Sequence, residues 1–224
     1  MTILIVGNIA NAQAYMYQRG LATLSMGVSS PSYAFGNYQG TELHSYVNLG
    51  TCIAGEVAYF YSKNVGLNFL INYNVHTIDD NSLAESYLDL NPEYVKVIVQ
   101  TNPFQELSGF TGFVFDIPPV DYFSFVFKLM VGLRNIHKPS ASVQITTDNS
   151  TINYNETSDN STTFALYSSA GLRVVINDHF NIHINASYVG STYDFEFERN
   201  STPIDMKDIH IGILSFVGGV SYSF

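Results

Sequence analysis

The 224-residue chain contains no tryptophan and one cysteine, Cys52. A lone cysteine excludes an intrachain disulfide; Cys52 reads as a small buried side chain, with a reactive thiol as the alternative. Charge is also scarce: Asp, Glu, Lys and Arg make up 12% of the chain, about half the ~25% usual in soluble domains. Nine Lys and Arg, scattered, stand against nineteen Asp and Glu, a net charge of −10. That balance excludes nucleic acid as a partner, because phosphate binding needs clustered cations. Long apolar runs are missing as well. No stretch approaches the ~20 residues of a spanning helix. What is abundant is apolar and aromatic: 46% and 14% of the residues, with 16 Tyr and 16 Phe. Such a surface meets something other than water. A membrane chain without spanning helices must be a closed barrel, since lipid leaves no unpaired backbone polar group satisfied.

The chain begins MTILIVGNIANAQAYMYQRG. Ile3 to Ile9 forms a short apolar core, and Ala12-Gln13-Ala14 is a small-x-small cleavage site. Residues 1–14 therefore read as a secretory signal peptide cut after Ala14. No Lys or Arg precedes the apolar core, so the leader reads as one shortened at its start. Residues 15–224 are expected to form one barrel domain.

A two-residue period dominates the rest. Phe123, Phe125, Phe127, Leu129, Val131 and Leu133 share one face of an extended segment; Ser124, Val126, Lys128, Met130, Gly132 and Arg134 share the other. A helix would mix these sets around its circumference. Residues 46–62 separate in the same way into a bulky face and a small, polar one. A water-soluble sheet would bury the bulky face, but too few polar residues remain to coat such a protein. The small-polar face suits the inside of a narrow barrel and the bulky face suits lipid.

Eight such segments are predicted, at about 20–29, 44–62, 65–78, 107–117, 122–136, 162–176, 180–195 and 209–224. Short turns at 62–64, 118–121 and 177–179 alternate with long connections at 30–43, 79–106, 137–161 and 196–208. Strict alternation of short and long connections is the pattern of an all-β, membrane-spanning, eight-stranded antiparallel up-and-down barrel with both termini on the short-turn side. The long connections are rich in Asp, Asn, Ser and Thr and read as exposed loops. The Asn-x-Ser/Thr triplets at Asn149, Asn155, Asn160, Asn185 and Asn200 follow from that composition rather than marking glycosylation sites.

The stretches VNLGTCIAGEVAYFYSKNVGLNFLINYN, FKLMVGLRN and FVGGVSYSF resemble the small eight-stranded outer-membrane β-barrel proteins, the OmpA/OmpX-like type and its Bacteroidetes-like relatives. The resemblance covers about residues 20–224. It implies an outer-membrane location in a Gram-negative cell, with periplasmic termini and lipid as the surroundings. It also implies that the outer-membrane assembly machinery reads the last strand. The matching positions are Phe216, Val220, Tyr222 and the terminal Phe224, with Gly218 as the small exception.

Eight strands enclose an interior that side chains fill. By parity the inward set includes Asn48, Glu56, Asn68, Asn72, Asp116, Lys128, Arg134, Tyr167, Arg173 and His183. Depth counting puts Glu56, Lys128 and Arg173 in one layer, which predicts a carboxylate held by one or both cations and closing the lumen. Arg134 belongs to the same polar network. Catalysis is not expected. His44 and Ser45 are neighbours and so face opposite ways on a strand; His183 and Ser187 share a face but lie about 13 Å apart. His179 and His183 are equally distant for a metal pair. Neither a metal nor any other cofactor is expected. The leading expectation is a monomeric barrel with a filled lumen and a structural or surface-contact role through its outer loops, whose partner the sequence does not name. The alternatives are a small barrel that binds or passes a small or hydrophobic solute, and a barrel-embedded lipid-modifying enzyme.

Overall fold

The computed structural model describes residues 19–33 and 43–224. The signal-peptide reading, with Ala12 and Ala14, lies outside the described residues.

Eight long strands form the barrel: β1 (Gly20–Tyr33), β2 (Val47–Phe60), β3 (Val65–Ile78), β5 (Phe104–Val120), β6 (Phe123–Lys138), β9 (Asp159–Val175), β10 (Phe180–Arg199) and β11 (Thr202–Ser223). Each pairs antiparallel with the next, and β11 pairs with β1 to close the ring. Closure includes the last residue: Phe224 N donates to Gly20 O at 3.0 Å, and Gly20 N to Phe224 O at 2.9 Å. A closed ring leaves no free edge strand in the wall, which is what lipid demands of a sheet.

Burial alternates along the strands as the sequence period requires. Outward side chains are apolar and open: Leu24 (63% exposed), Leu49 (68%), Phe164 (61%) and Ile184 (62%) are typical. They continue around all eight strands. Soluble monomers rarely expose apolar patches beyond ~300–600 Å²; a belt encircling the molecule is the surface of a barrel immersed in hydrocarbon.

The strand limits differ from the expectation chiefly on the long-connection side. Residues 79–106 do not form a loop. They hold a helix, α1 (Asp80–Leu90), and a strand, β4 (Tyr94–Thr101). Asp79 caps the helix, its carboxylate accepting from Ser82 N at 3.0 Å and from Ser82 Oγ at 2.8 Å. The helix buries Leu83 and Tyr87, one turn apart on one face. Residues 137–161 contain a hairpin, β7 (Ala141–Thr147) and β8 (Thr151–Glu156), and β4 pairs with β7. Residues 196–208 are a continuation of the β10–β11 ladder, turning at Asn200 and Ser201, both at positive φ. The expected strand at 44–62 begins with a 3-10 turn, Leu43–Tyr46, and becomes extended only at Val47.

These pieces share a dry core of their own. Leu43, Tyr46, Leu83, Tyr87, Val97, Val143, Ile145, Phe195 and Phe197 all pack in one cluster above the barrel mouth. The alternation of Val97 and Val99, or of Phe195 and Phe197, is short and flanked by polar residues, so it resembles a loop in the sequence. Burial against distant segments is what makes these stretches strands.

Candidate functional site: the filled lumen and its outer cap

Strand β6 rises from the short-turn end, so its inward residues give the order of the layers. Lowest is Ser124, beside an ion pair between Arg173 and Asp116. Leu21, Ala58, Val114 and Val126 pack next to it. Two inward positions above Ser124 stands Lys128, its Nζ 2.7 Å from Glu56 Oε1 and 2.5 Å from Oε2. Asn68 Nδ2 donates to the same carboxylate at 3.4 Å. The pair is nearly closed to solvent, at 4% and 9% side-chain exposure.

Above it the lumen turns apolar. Ala54, Leu70, Phe110, Met130, Ala165, Tyr167 and Val189 form a continuous layer, with the Phe110 and Tyr167 rings 5.3 Å apart. The next layer is polar again. Arg134 Nη2 donates to Glu106 Oε2 at 2.7 Å, and Ser108 Oγ donates to Glu106 Oε1 at 2.7 Å. Arg134 Nη1 donates to Ser191 Oγ (2.8 Å) and Ile211 O (2.9 Å). Its guanidinium lies over the Tyr193 ring, 5.6 Å from the centroid. Arg134 and Glu106 are fully buried, at 0% and 2%. Charges that deep need partners of this kind; Arg134 Nε, also buried, has none among the described residues.

In the cap, Lys138 Nζ and Arg199 Nε both reach Glu156, at 3.1 and 2.8 Å. Lys138 Nζ also sits 3.8 Å from the Phe197 ring centre. His44 lies in the cap, where burial, then the nearby Lys138 charge, lowers its pKa to about 4. Burial raises the Tyr154 hydroxyl, reinforced by its contact with Tyr87.

The positions read from the sequence therefore divide. Glu56 and Lys128 meet. Arg173 does not join them: it pairs with Asp116, one of the residues that parity had turned inward without a partner. Lys128 stands opposite Ser169, four residues along β9 from Arg173, whose own row holds Ser124 and His183. Strand tilt staggers the rows, and a depth count along each strand separately omits that stagger. Arg134 pairs with Glu106, a residue that fell just outside the predicted strand at 107–117. Phe216, Val220, Tyr222 and Phe224 all face outward in the belt.

Among the described residues no group of three or more His, Cys, Asp or Glu is placed to hold a metal ion. His44 and Ser45 belong to the 3-10 turn rather than to a strand. Two Ser–His contacts were not read from the sequence. Ser221 Oγ lies 3.2 Å from His183 Nδ1, and Ser29 Oγ lies 3.2 Å from His76 Nε2, with His76 Nδ1 3.1 Å from Asn48 O. All four side chains are buried, so both contacts serve packing. Cys52 is buried, donating to Asn72 Oδ1 at 3.0 Å.

No protein-family profile and no curated protein matches the chain in sequence. Solved structures do match in shape. Neisserial surface protein A aligns over 92% of this chain and 97% of its own, at 11% identity and a TM-score of 0.51. The attachment invasion locus protein Ail of Yersinia pestis aligns over 92% and 99%, at 14% identity and a TM-score of 0.48. At this identity the likeness concerns the fold: the chain has the architecture of the small eight-stranded outer-membrane β-barrels, of OmpA/OmpX-like type.

Proposed function

We propose that the chain is an integral outer-membrane β-barrel with a closed lumen that works through its outer cap. It would be a monomer with its termini in the periplasm, in contact with outer-membrane lipid. The observation that carries this reading is the stacking order of the interior. An apolar layer around Phe110 lies between the Glu56–Lys128 and Glu106–Arg134 pairs, and the cap core lies above all three. An ion crossing this stack would need to separate both buried ion pairs and shed its hydration in an apolar layer, which opposes a pore.

The cap is the region offered to partners. Asp194, Glu196 and Glu198 stand exposed on one face of β10, and Asp205 is exposed on β11 opposite Glu196. Lys207 pairs with Asp205 at 2.9 Å, and the face stays net acidic, which favours cationic partners through complementarity. We further propose that Phe216, Val220, Tyr222 and Phe224 act as the segment read during membrane insertion, since they form an alternating apolar row facing outward on the strand that closes the ring. Catalysis is outside the proposal: the Ser29–His76 and Ser221–His183 contacts are both buried, and His183 and Ser187 are separated along one strand.

The test is reconstitution of the purified chain into phospholipid vesicles and planar bilayers. The expected result is a heat-modifiable band on cold gels together with no stable single-channel conductance. Steady conductance from heat-modifiable protein would overturn the closed-lumen reading and favour the solute-passing alternative. A protein that never acquires heat-modifiability would overturn the barrel itself.

A further inference from the structure

The β9–β10 ladder stops at the pair Leu166–Gly190, well short of either strand's outer end. Above that row β9 stays with β6 as far as Asp159, while β10 stays with β11 to the hairpin tip. The two strands rejoin indirectly near the top, where Asp159 Oδ2 accepts from Glu196 N at 2.9 Å and Thr157 Oγ1 from Glu198 N at 2.9 Å.

Just where the strands diverge, the outer wall carries a hollow of about 880 Å³, within the ~300–1,000 Å³ typical of sites for small ligands. Small outward residues make it: Ser168, Gly190 and Gly212 lie among bulky neighbours. The Tyr188 ring lies across Gly190; a Cβ added there would stand 3.2 Å from the Tyr188 ring and hydroxyl. The hollow is graded along the barrel axis. Its lower portion is walled by Leu129, Val131 and Leu166, which belong to the apolar belt. Its upper rim is polar, where Thr192 Oγ1 and the exposed His210 Nδ1 lie 2.8 Å apart. On β11 the row inward along the belt from His210 is Gly212 and then Leu214, the outermost apolar side chain of that strand's belt.

We propose that this hollow is a binding site for one acyl chain of an outer-leaflet lipid, with the polar end of that lipid at Thr192 and His210. The site rests on the membrane reading given above. Its occupant follows from continuity: the apolar wall of the hollow is the lipid-facing belt itself, so hydrocarbon is what the surroundings present to it. The polarity gradient gives the orientation, since a lipid of the outer leaflet has its chain toward the bilayer centre and its polar end outward. Filling the hollow would also shield the stretch of wall where β9 and β10 share no ladder hydrogen bonds.

The test uses the full chain refolded into phosphatidylcholine vesicles containing a phosphatidylcholine with a photoactivatable diazirine in its acyl chain. Irradiation and peptide mapping are expected to concentrate label several-fold on the segments around Leu129, Leu166 and Tyr188 relative to the rest of the belt. The paired substitution Thr111→Phe and Ser168→Phe, both at exposed outward positions lining the hollow, is expected to reduce that label to the belt average. Thr51→Phe, outward on β2 and away from the hollow, is expected to leave it unchanged. Even labelling around the barrel, or enrichment that survives the filling variant, in protein that remains heat-modifiable overturns the site while the barrel stands. Absence of heat-modifiability in the vesicles overturns the membrane reading and the site with it.

Discussion

Lys128 on β6 places its ammonium 2.7 and 2.5 Å from the two carboxylate oxygens of Glu56 on β2, 72 residues earlier in the chain. The two strands are not neighbours in the wall: β3 and β5 lie between them. The pair therefore spans the lumen and ties opposite sides of the barrel together. Removing one partner leaves the other charge buried alone, which costs about 3–5 kcal/mol. Lys128→Met is expected to lose stability of that order in urea unfolding from lipid vesicles. Combining it with Glu56→Gln is expected to restore most of the loss, because no unpaired charge then remains. Equal, additive losses from the two substitutions would show that the contact carries no coupling.

Phe110 is 1% exposed at the centre of the apolar layer, 5.3 Å from the Tyr167 ring. Phe110→Ala is expected to destabilise the barrel by about 3–5 kcal/mol, the usual cost of deleting a buried ring and leaving a cavity. It is not expected to produce conductance, since the ion pairs above and below the cavity remain. A planar bilayer recording made beside the unfolding curve separates these effects.

The outer cap is expected to loosen in acid through His44. Its folded pKa, about 4, lies below the unfolded value of ~6.5. The unfolded form thus binds the proton first, and stability rises with pH between these values. The contribution of neutral His44 is fully present above pH ~6.5 and is lost progressively as pH falls toward ~4, at most about 3 kcal/mol for a shift of this size. Hydrogen exchange in α1 and β4 should accelerate across that window, while the lower barrel stays protected. His44→Leu should remove this component of the acid response; an unchanged profile in that variant would assign the loosening to cap carboxylates instead.

Phe224 closes the ring through two backbone hydrogen bonds to Gly20 that do not involve its side chain. Phe224→Ser is accordingly expected to change the stability of barrel refolded in detergent by less than about 1 kcal/mol, as exposed substitutions do. In cells it should lower the heat-modifiable fraction recovered from outer membranes. A normal cellular yield would separate the terminal aromatic from any role in assembly.

Much of this architecture was legible in the residues. Phe123 to Leu133, and the two faces of residues 46–62, state a two-residue period, and a period of two leaves the backbone one choice. Glu56 and Lys128 were readable as inward for the same reason. The cap was not legible. The sequence VKVIVQ in β4 alternates, and Asp79 followed by Leu83 and Tyr87 is a capped helix face, but both lie within stretches whose Asn, Asp, Ser and Thr read as loop. Their burial depends on Phe195, Phe197 and Ile145, which are remote in the chain.

Period and polarity are local properties, so the sequence by itself determined the eight wall strands, the lipid-facing side and which charged side chains point inward. Partner choice is not local. Strand tilt decided that Arg173 meets Asp116 rather than Glu56. Placement of Glu106 on β5 gave Arg134 its carboxylate. The end of the β9–β10 ladder at Leu166 and Gly190 set where the wall opens its hollow. Each depends on the stagger between neighbouring strands, which is fixed only when the sheet closes on itself and every residue takes a height relative to all the others.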